Sequence, residues 1–274
     1  MVPWFEPPAL HLGPVTLQGF GLVAALGVFL ALQVAAAASR RRGLDPRPLR
    51  DFAVWGVVAG IAGGHAVHLL AYHPEELADP RRVLQFWEGL SSYGGLLGGT
   101  VAAAIWFRAR RVRLSDYADP LALGLASGWG VARIGCFLVH DHPGSRTTFP
   151  LAVRFPGGAR HDLGLYDALV LLTLAAILVA LFRRRRLERR LLPLLGVAYG
   201  TSRFLLDFLR ARDLPYSDPR YLGWTPAQYA SVALVAWGAW RLARPVPPAA
   251  SAPPAVPETG PVPGAPGPTG APCA

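Results

Sequence analysis

The feature that most constrains this chain is a series of seven apolar segments, each long enough to cross the hydrocarbon core of a bilayer. A transmembrane helix needs about 20 predominantly apolar residues, because it rises about 1.5 Å per residue and the core is about 30 Å thick. The sequence therefore predicts an all-α integral membrane protein with seven transmembrane helices. The predicted spans lie near residues 15–38, 51–72, 92–108, 119–139, 164–182, 191–209 and 226–243.

The arginines between these segments predict the orientation of the helices. The connections after spans one, three and five are rich in arginine, and Arg241 and Arg244 follow at the end of span seven. Basic residues favour the cytoplasmic side of a membrane. The segment before span one has no basic residue, and the remaining connections mix acids with arginines. We therefore expect the N-terminus to lie outside and the C-terminus to lie in the cytoplasm.

The composition argues against a nucleic-acid partner. Hydrophobic residues make up 52% of the chain and the mean hydropathy is +0.32, although the net charge is +10. The chain has no lysine, and most arginines occur in short bursts between apolar spans. A nucleic-acid surface would gather its basic residues on one folded face. We therefore expect a membrane lipid, and no nucleic acid, as a partner.

The C-terminal residues differ in composition from the rest of the chain. From Pro245 onward the sequence is almost wholly proline, alanine and glycine, with Glu258 as the single acid. Such a segment cannot bury enough apolar surface to fold. We therefore predict a membrane domain over residues 1–244 and a disordered cytoplasmic tail over residues 245–274.

Two arginines interrupt the apolar spans. Arg133 lies in span four and Arg203 in span six. A guanidinium stays protonated in proteins, so at membrane depth it must face protein, water or an anion rather than lipid. We interpret both arginines as markers of a functional interior. The alternative is that they pair with Asp207 and Asp141 only to hold helices together.

A histidine-rich motif follows Arg133 where span four ends. His140, Asp141 and His142 place a carboxylate and two imidazoles within two turns of this fixed cation. The combination offers an anion anchor and a candidate general base. Two other interpretations stay open. The two histidines could bind a transition metal, or they could lie at the membrane interface without a chemical role.

Span six carries a second polar series. Tyr199, Arg203 and Asp207 recur every four residues and therefore share one helical face, which predicts a lined cavity. The alternative is a polar seam in which Arg203 and Asp207 form a plain intrahelical pair. Acidic and phenolic side chains at the start of span five could join the cavity, although a polar first turn is also ordinary helix capping. These side chains belong to Asp162, Tyr166 and Asp167.

The start of span three is rich in serine and glycine. Ser91, Ser92 and Tyr93 supply hydroxyls, while Gly94 and Gly95 allow close approach of a ligand or of a neighbouring helix. Helix packing is the simpler interpretation of these glycines.

The long connection after span four contains the alternating segment LAVRF between two prolines. This pattern predicts a short strand or hairpin arm over the outer mouth of the bundle.

Taken together, these segments resemble the prolipoprotein diacylglyceryl transferases of bacterial inner membranes. The resemblance implies an enzyme that moves the diacylglyceryl group of phosphatidylglycerol to the lipobox cysteine of a preprolipoprotein and releases glycerol 1-phosphate. It also implies a multi-pass protein with its active site toward the outer face of the cytoplasmic membrane, and neither metal nor cofactor. The matching segments are HLGPVTLQGFGL, GLSSYGGLLGG, GVARIGCFLVHDHPGSRTTFPLAVRFPGG, RHDLGLYDAL, YGTSRFLLDFLRARD and the QYAS of span seven.

The resemblance further implies roles for individual residues. Arg133 matches an arginine that the family associates with the phosphatidylglycerol headgroup, and Arg203 and Tyr199 match a second essential cluster. Asp141 matches a family glutamate, and Gly135 and Gly144 match signature glycines. We expect catalytic roles for His140, Asp141, His142, Tyr199 and Arg203. We expect substrate binding by Tyr93, Gly94, Gly95, Arg133, Gly135, Gly144, Asp167 and Asp207.

The chain also departs from the family pattern at polar positions. Tyr93 stands where well-studied members carry histidine, and Cys136 stands where they carry asparagine. Further departures are Phe20 for tyrosine, Val139 for asparagine, His65 for arginine, and Asp167 and Asp207 for glutamates.

A base is needed because only a thiolate attacks well. We therefore expect the motif of residues 140–142 to supply it, since an imidazole titrates near neutral pH. Two other functions stay open: a homologue with a different transferred group or acceptor, and a phospholipid-binding or transport protein without chemistry.

Overall fold

The computed structural model describes residues 1–12, 15–86, 89–215 and 217–246. Helices dominate this part of the chain, and seven of them have 16 or more residues. They are α1 Gly19–Arg41, α2 Arg47–Val67, α4 Ser92–Ala109, α5 Ala118–Val139, α6 Leu163–Arg183, α7 Leu191–Leu206 and α8 Pro226–Ala243, with a short α3 at Pro80–Leu84. A π-helical turn, His68–Tyr72, extends α2. The predicted tail lies outside the described residues from residue 247 onward.

Several helices begin at side chains that satisfy their first backbone N–H groups. Ser91 accepts from the N–H of Gly94 at the start of α4, and Asp162 accepts from the N–H of Leu165 at the start of α6. Thr225 and Gln228 form a reciprocal capping box at the start of α8. Such caps stabilise a helix start by about 1 kcal/mol each. They also fix where the polar residues at the helix starts lie.

Small residues allow the helices to approach closely along two seams. A Cβ atom added to Gly128 of α5 would lie 2.3 Å from the carbonyl oxygen of Gly27 in α1. One added to Gly98 of α4 would lie 2.2 Å from the carbonyl oxygen of Ala59 in α2. Close contact between backbones is the usual packing mode of helices in membranes. These seams hold α4 and α5 in register with their neighbours.

The outer surface of the bundle is apolar. Phe29, Val54, Trp55 and Ile105 are each exposed by between 59 and 69%. Within the described ranges, four helical segments are long and apolar enough to cross a membrane: Gly19–Arg41, Arg47–Tyr72, Leu114–Val139 and Leu163–Arg183. An exposed apolar band around such helices is suited to lipid rather than water. The fold is therefore that of an integral membrane protein built mainly from helices.

The first helix begins later than the sequence pattern predicted. Residues Val15–Gln18 form β3, which pairs antiparallel with β2, Ala9–Leu12. The ladder between these two strands supplies backbone hydrogen bonds that a helix beginning at residue 15 would have to supply internally. The helix starts at Gly19 instead.

A small sheet covers the end of the bundle after α5. Its strands are β1 Val2–Pro3, β4 Pro143–Arg146, β5 Val153–Phe155 and β6 Gly158–Asp162, in the order β1-β5-β6-β4. β5 and β6 form an antiparallel hairpin, and β1 pairs parallel with β5. The strand predicted from the LAVRF pattern is confirmed as part of this hairpin. The sheet places the segment after Val139 beside the ends of α5 and α6.

Candidate active site

A cavity of about 200 Å³ lies near the end of the bundle that carries this sheet. Most of its lining comes from the segments that the sequence marked as chemically active. The predicted residues in its lining are Tyr93, Arg133, Asp141, His142 and Arg203. Residues of the π-helical turn and of the segment after α7 complete it, including His68, Tyr72, Arg210 and Asp218.

Arg133 is almost completely buried, with a side chain only 4% exposed. Its Nη2 donates to the hydroxyl of Ser92 over 2.9 Å, and its Nε lies 3.3 Å from a carboxylate oxygen of Asp167. α4, α5 and α6 each contribute one of these three groups. The guanidinium therefore joins three helices at the cavity wall.

Asp167 is shared between the two arginines that the sequence singled out. Its Oδ2 atom lies 3.3 Å from Nε of Arg133 and 3.6 Å from Nη1 of Arg203, and its side chain is fully buried. One carboxylate is therefore shared by two guanidiniums, and its single negative charge does not by itself neutralise both. Since each arginine also lines the cavity, both retain the capacity to bind an anion there.

The pairing continues beyond Arg203 as an alternating series of cations and anions. Nη2 of Arg203 lies 3.1 Å from Asp207, which also accepts from Nε of Arg210 over 2.9 Å. Thr225 donates a short hydrogen bond to the same carboxylate. Arg210 in turn lies 2.7 Å from Asp218. The interpretation of Arg203 and Asp207 as an isolated intrahelical pair is therefore wrong, because their contacts extend to α6 and to α8's N-terminal cap.

His142 is held between a carboxylate and a guanidinium. Its Nδ1 is hydrogen-bonded to Asp141, and its Nε2 lies 3.3 Å from Nη1 of Arg133. A guanidinium can only donate, so Nε2 is the accepting nitrogen and Nδ1 carries the proton. Burial lowers the pKa of His142, while the neighbouring Asp141 acts in the opposite direction. The imidazole is thus held neutral, and its Nε2 lone pair accepts from Arg133 at the cavity wall.

His140 lies away from this cavity, although only one residue separates it from His142. Its backbone is left-handed, with φ of 51°, which turns the side chain out of the line of α5. Its Nδ1 lies 3.0 Å from Asp162, and its ring packs 4.5 Å from that of Phe5 and 5.3 Å from that of Phe155. We expected His140 to act as a base at the same site as His142. Its side chain instead makes an interior contact beneath the sheet, away from the cavity.

The four glycines predicted to bind substrate lie in packing seams. An added Cβ atom would lie 2.4 Å from the oxygen of Gly63 at Gly94 and 3.4 Å from the oxygen of Gly60 at Gly95. At Gly135 the nearest atom would be the oxygen of Phe20 at 3.2 Å, and at Gly144 the oxygen of Leu209 at 2.6 Å. Close contacts with neighbouring backbone account for Gly94, Gly135 and Gly144, whereas a methyl group at Gly95 would make only ordinary contact. The simpler interpretation, helix packing, therefore fits Gly94.

The two predicted tyrosines have different surroundings. Tyr93 lines the cavity and hydrogen-bonds to Ser231 of α8, whose hydroxyl itself donates to the carbonyl of Ala227. Tyr93 is therefore the donor of the hydrogen bond to Ser231. Tyr199 is buried with its ring 4.9 Å from that of Trp129, and its hydroxyl has no hydrogen-bond partner among the described residues.

Sequence reasoning missed His68, Tyr72 and His73 in the lining and four further polar groups at the site. Arg210, Thr225 and Ser231 contact predicted residues, and Asp218 contacts Arg210. Arg210 could have been found from its spacing, because it follows Asp207 by three residues, directly after the short helical turn Asp207–Leu209. The other three come from distant segments and have no local signal.

A metal could find three ligand types beside Arg133. The ligand atoms of Cys136, Asp141 and His142 lie within 4.8 Å of one another. Nη1 of Arg133 lies 3.6 Å from the Cys136 sulfur and 3.3 Å from Nε2 of His142. A divalent cation at this point would meet the positive charge of the guanidinium. The arrangement suits an anion better than a metal ion.

Comparison with known proteins identifies the family to which the chain is similar. A family model described as prolipoprotein diacylglyceryl transferase matches residues 7–244. A phosphatidylglycerol–prolipoprotein diacylglyceryl transferase of Azotobacter vinelandii is 34% identical, over 88% of this chain and 94% of its own length. The enzyme of the same name from Solidesulfovibrio magneticus is 32% identical, over 89% and 96%. That of Thermosynechococcus vestitus is 29% identical, over 90% and 98%.

The match covers the whole described bundle, including the segments that carry Arg133, Asp167 and Arg203. The chain therefore belongs to the prolipoprotein diacylglyceryl transferase family.

Proposed function

We propose that this chain transfers the diacylglyceryl group of phosphatidylglycerol to the lipobox cysteine of preprolipoproteins, the first step of lipoprotein lipidation. The observation that supports this most strongly is the pair of buried arginines, Arg133 and Arg203, which share Asp167 at the wall of one cavity. The reaction is the one for which the relatives are named, and the cavity contains groups that fit it. The reaction forms a thioether bond and releases glycerol 1-phosphate, so the departing group is a phosphate ester.

The arginines would bind and stabilise this phosphate. In the reaction, the cysteine sulfur attacks the terminal glycerol carbon of the diacylglyceryl group, and the bond from that carbon to the phosphate oxygen breaks. Negative charge builds on the phosphate as the bond breaks. Arg133 and Arg203 present guanidinium groups to the same cavity, where a preorganised cation stabilises developing charge without having to reorient. Ser92 fixes the orientation of Arg133 through its 2.9 Å hydrogen bond.

His142 is the best-placed base for the cysteine thiol. Its Nε2 lone pair lies at the cavity, and its Nδ1 proton is held by Asp141. In this assignment the thiol proton passes to Nε2, the thiolate attacks carbon, and the imidazolium later releases the proton to water. Asp141 stabilises the imidazolium while it exists. His142 thus takes the part that we expected from the motif of residues 140–142.

The remaining predicted residues would position these groups. Asp167 and Asp207 hold Arg203 from two sides, and the ring of Tyr199 packs against Trp129 beside them. Tyr93 offers its phenol oxygen at the cavity wall. The cavity has room for a polar headgroup but not for two acyl chains, so the chains would remain in the surrounding lipid.

We further propose that the bundle crosses a bacterial inner membrane seven times. Each of the seven long helices overlaps one predicted span. Four of them lie in the segments that are long and apolar enough to cross a membrane, and α4, α7 and α8 are the other three. Arginines gather at the ends of α1, α4, α6 and α8, which supports a position of the cavity toward the opposite, outer face. The N-terminus would then lie outside, and residues 245–274 would form a cytoplasmic tail after a membrane domain of residues 1–244. Reporter fusions after residue 2 and after residue 244 would test this orientation.

The direct test is transfer of labelled diacylglyceryl from phosphatidylglycerol to a lipobox peptide by the purified protein. We expect transfer by the unchanged protein and none by the Arg133→Ala variant. The Arg154→Ala variant is the matched control, because Arg154 is an exposed arginine on β5. Lipid binding without transfer by the unchanged protein would contradict the proposal and favour a binding protein. Transfer only to another acceptor would contradict it in favour of a divergent transferase.

A further inference from the structure

A second cavity, of about 190 Å³, lies at the opposite end of the bundle from the candidate active site. It opens between the start of α5, the start of α7 and the end of α8. Ala118 lines this cavity and Arg133 lines the other, and both belong to α5. Fifteen residues of helix separate them, or about 22 Å at about 1.5 Å per residue. The two cavities are therefore separate. The lining relevant here consists of Ser115, Arg189, Leu192, Pro193, Trp237 and Arg241.

Two arginines in this lining have unused hydrogen-bonding capacity. Nη2 of Arg189 is hydrogen-bonded to Asp116 over 2.7 Å, but its Nη1 is buried without a partner among the described residues. Arg241 makes no ion pair within the described ranges, and its guanidinium lies 5.7 Å from the centre of the Trp240 ring. A buried N–H without an acceptor costs about 1–3 kcal/mol. An anion in the cavity would satisfy Arg189 and face Arg241.

The walls around these arginines are fixed by other contacts. Asp119 accepts hydrogen bonds from the backbone N–H groups of Arg189 and Leu191. A Cβ atom added to Gly196 would lie 3.2 Å from the Trp237 ring, so α7 and α8 pack tightly behind the cavity. Leu192 and Pro193 belong to the first turn of α7, whose first backbone N–H already donates to Asp119. The positive charge at the cavity therefore comes from Arg189 and Arg241, in walls that other contacts hold in place.

The rest of the lining suits a lipid. Trp237 and the neighbouring Trp240 are exposed by 40% and 49%, and both lie within a turn or so of Arg241. Tryptophan beside arginine is the usual pattern at a membrane–water interface, and basic pockets between helices on the arginine-rich side bind anionic headgroups. Leucine side chains from α7 and from the turn before α5 extend the apolar wall.

We propose that this cavity binds the phosphate group of an anionic phospholipid, separately from the lipid that serves as substrate. Arg189 and Arg241 contact the phosphate, the hydroxyl of Ser115 donates to it, and Trp237 packs against the glycerol and the upper acyl chains. The bound lipid would join the starts of α5 and α7 to the end of α8. It would thereby stabilise the position of α7, which carries Arg203 near its other end.

The test uses the purified protein in a non-ionic detergent, titrated with dioleoyl phosphatidic acid and followed by native mass spectrometry. Arg241→Gln is the main variant, because Arg241 contributes no ion pair to the fold in the described ranges. We expect this variant to bind one equivalent of phosphatidic acid with an affinity about fivefold lower, the size of effect expected for one interfacial arginine. Arg184→Gln is the matched control, since it removes the same charge from an exposed position nearby and should leave binding unchanged.

Two further arms separate the possible ligands. Dioleoylglycerol has the same chains without the phosphate, and we expect the unchanged protein and the Arg241→Gln variant to bind it equally. Millimolar inorganic phosphate should fail to displace phosphatidic acid. Equal binding of phosphatidic acid by the unchanged protein and the Arg241→Gln variant would overturn the proposal. Displacement by inorganic phosphate would also overturn it, in favour of a soluble phosphate ester. Neither outcome depends on whether the protein transfers diacylglyceryl groups.

Discussion

Nη1 of Arg133 lies 3.3 Å from Nε2 of His142, so the cation placed for the phosphate also sets the protonation state of the imidazole. Because the guanidinium only donates, a protonated His142 would be repelled by it, and the neutral form is favoured. The arrangement couples the two halves of the proposed reaction. A phosphate that draws Arg133 toward itself would free Nε2 to accept the thiol proton.

Replacing His142 should separate chemistry from lipid binding. In the His142→Ala variant we expect kcat to fall by about 10²–10⁴-fold, the usual contribution of a positioned general base. Binding of phosphatidylglycerol should remain close to that of the unchanged protein, because the arginines are intact. Transfer of labelled diacylglyceryl and lipid binding are measured on the same preparation. A kcat equal to that of the unchanged protein would remove His142 from the mechanism.

His140→Ala is the matched control within the same motif. His140 is buried beneath the sheet and contacts Asp162, so its loss leaves a buried carboxylate with one partner fewer. We expect a lower thermal midpoint, corresponding to about 1–3 kcal/mol, and a kcat per folded molecule within about threefold of normal. Loss of activity without loss of stability would instead assign the base to His140.

The pH dependence of transfer should report the protonation of His142. Burial lowers its pKa below the ordinary value of 6.5, so more than half of the base is neutral at pH 6.5. We expect kcat/KM to decrease as the pH falls and to level off at higher pH. Asp141 raises the pKa of His142, so Asp141→Asn should move the midpoint to lower pH. A midpoint that moves to higher pH would contradict the assignment.

The same shift has a consequence for stability. Because the folded protein binds the His142 proton less tightly than the unfolded chain does, this group favours folding at high pH. Its contribution is lost as the pH falls below 6.5.

Asp167 should be needed for both folding and catalysis. Asp167→Asn leaves two guanidiniums without the carboxylate that they share, and removing one partner from a buried ionic cluster costs about 3–5 kcal/mol. We expect a marked fall in thermal stability and at least a 100-fold loss of transfer. Asp167→Glu keeps the charge and is the control. Full stability and activity in Asp167→Asn would show that the arginines do not depend on this residue.

Much of the fold could be predicted from the sequence because its signals are local. Apolar segments of about 20 residues define a helix by their own length, and five of the seven predicted spans begin within one residue of the observed helices. The exceptions are α2, which begins four residues earlier than predicted, and α1, which begins four residues later because residues 15–18 pair with a neighbouring strand. Pairing between strands depends on a partner segment, and the apolar pattern carries no information about it.

The candidate site was only partly predictable. Arg133 and Arg203 could be identified because a cation in an apolar span needs a partner. The separation of His140 from His142 could not, because it depends on one left-handed residue at the end of α5. The contact of Thr225 with Asp207 joins residues 18 apart across a turn between helices. Such contacts are set by tertiary packing.

The glycines of α4 provide a test of the packing that holds the site. A Cβ atom on Gly98 would lie 2.2 Å from the oxygen of Ala59, whereas on Gly95 the nearest atom would be 3.4 Å away. Gly98→Ala must therefore push α2 and α4 apart, and overpacking of this kind typically costs about 1–3 kcal/mol. We expect a lower thermal midpoint and reduced transfer, since α4 carries Ser92 and Tyr93.

Gly95→Ala is the control, because it adds the same methyl group one turn earlier with ordinary contact. Its thermal midpoint and activity should be close to normal. If Gly95 instead contacted the substrate, as the sequence led us to expect, Gly95→Ala would raise KM without changing stability. The pair of variants thus distinguishes a glycine kept for helix packing from one kept for substrate, by whether stability or KM changes.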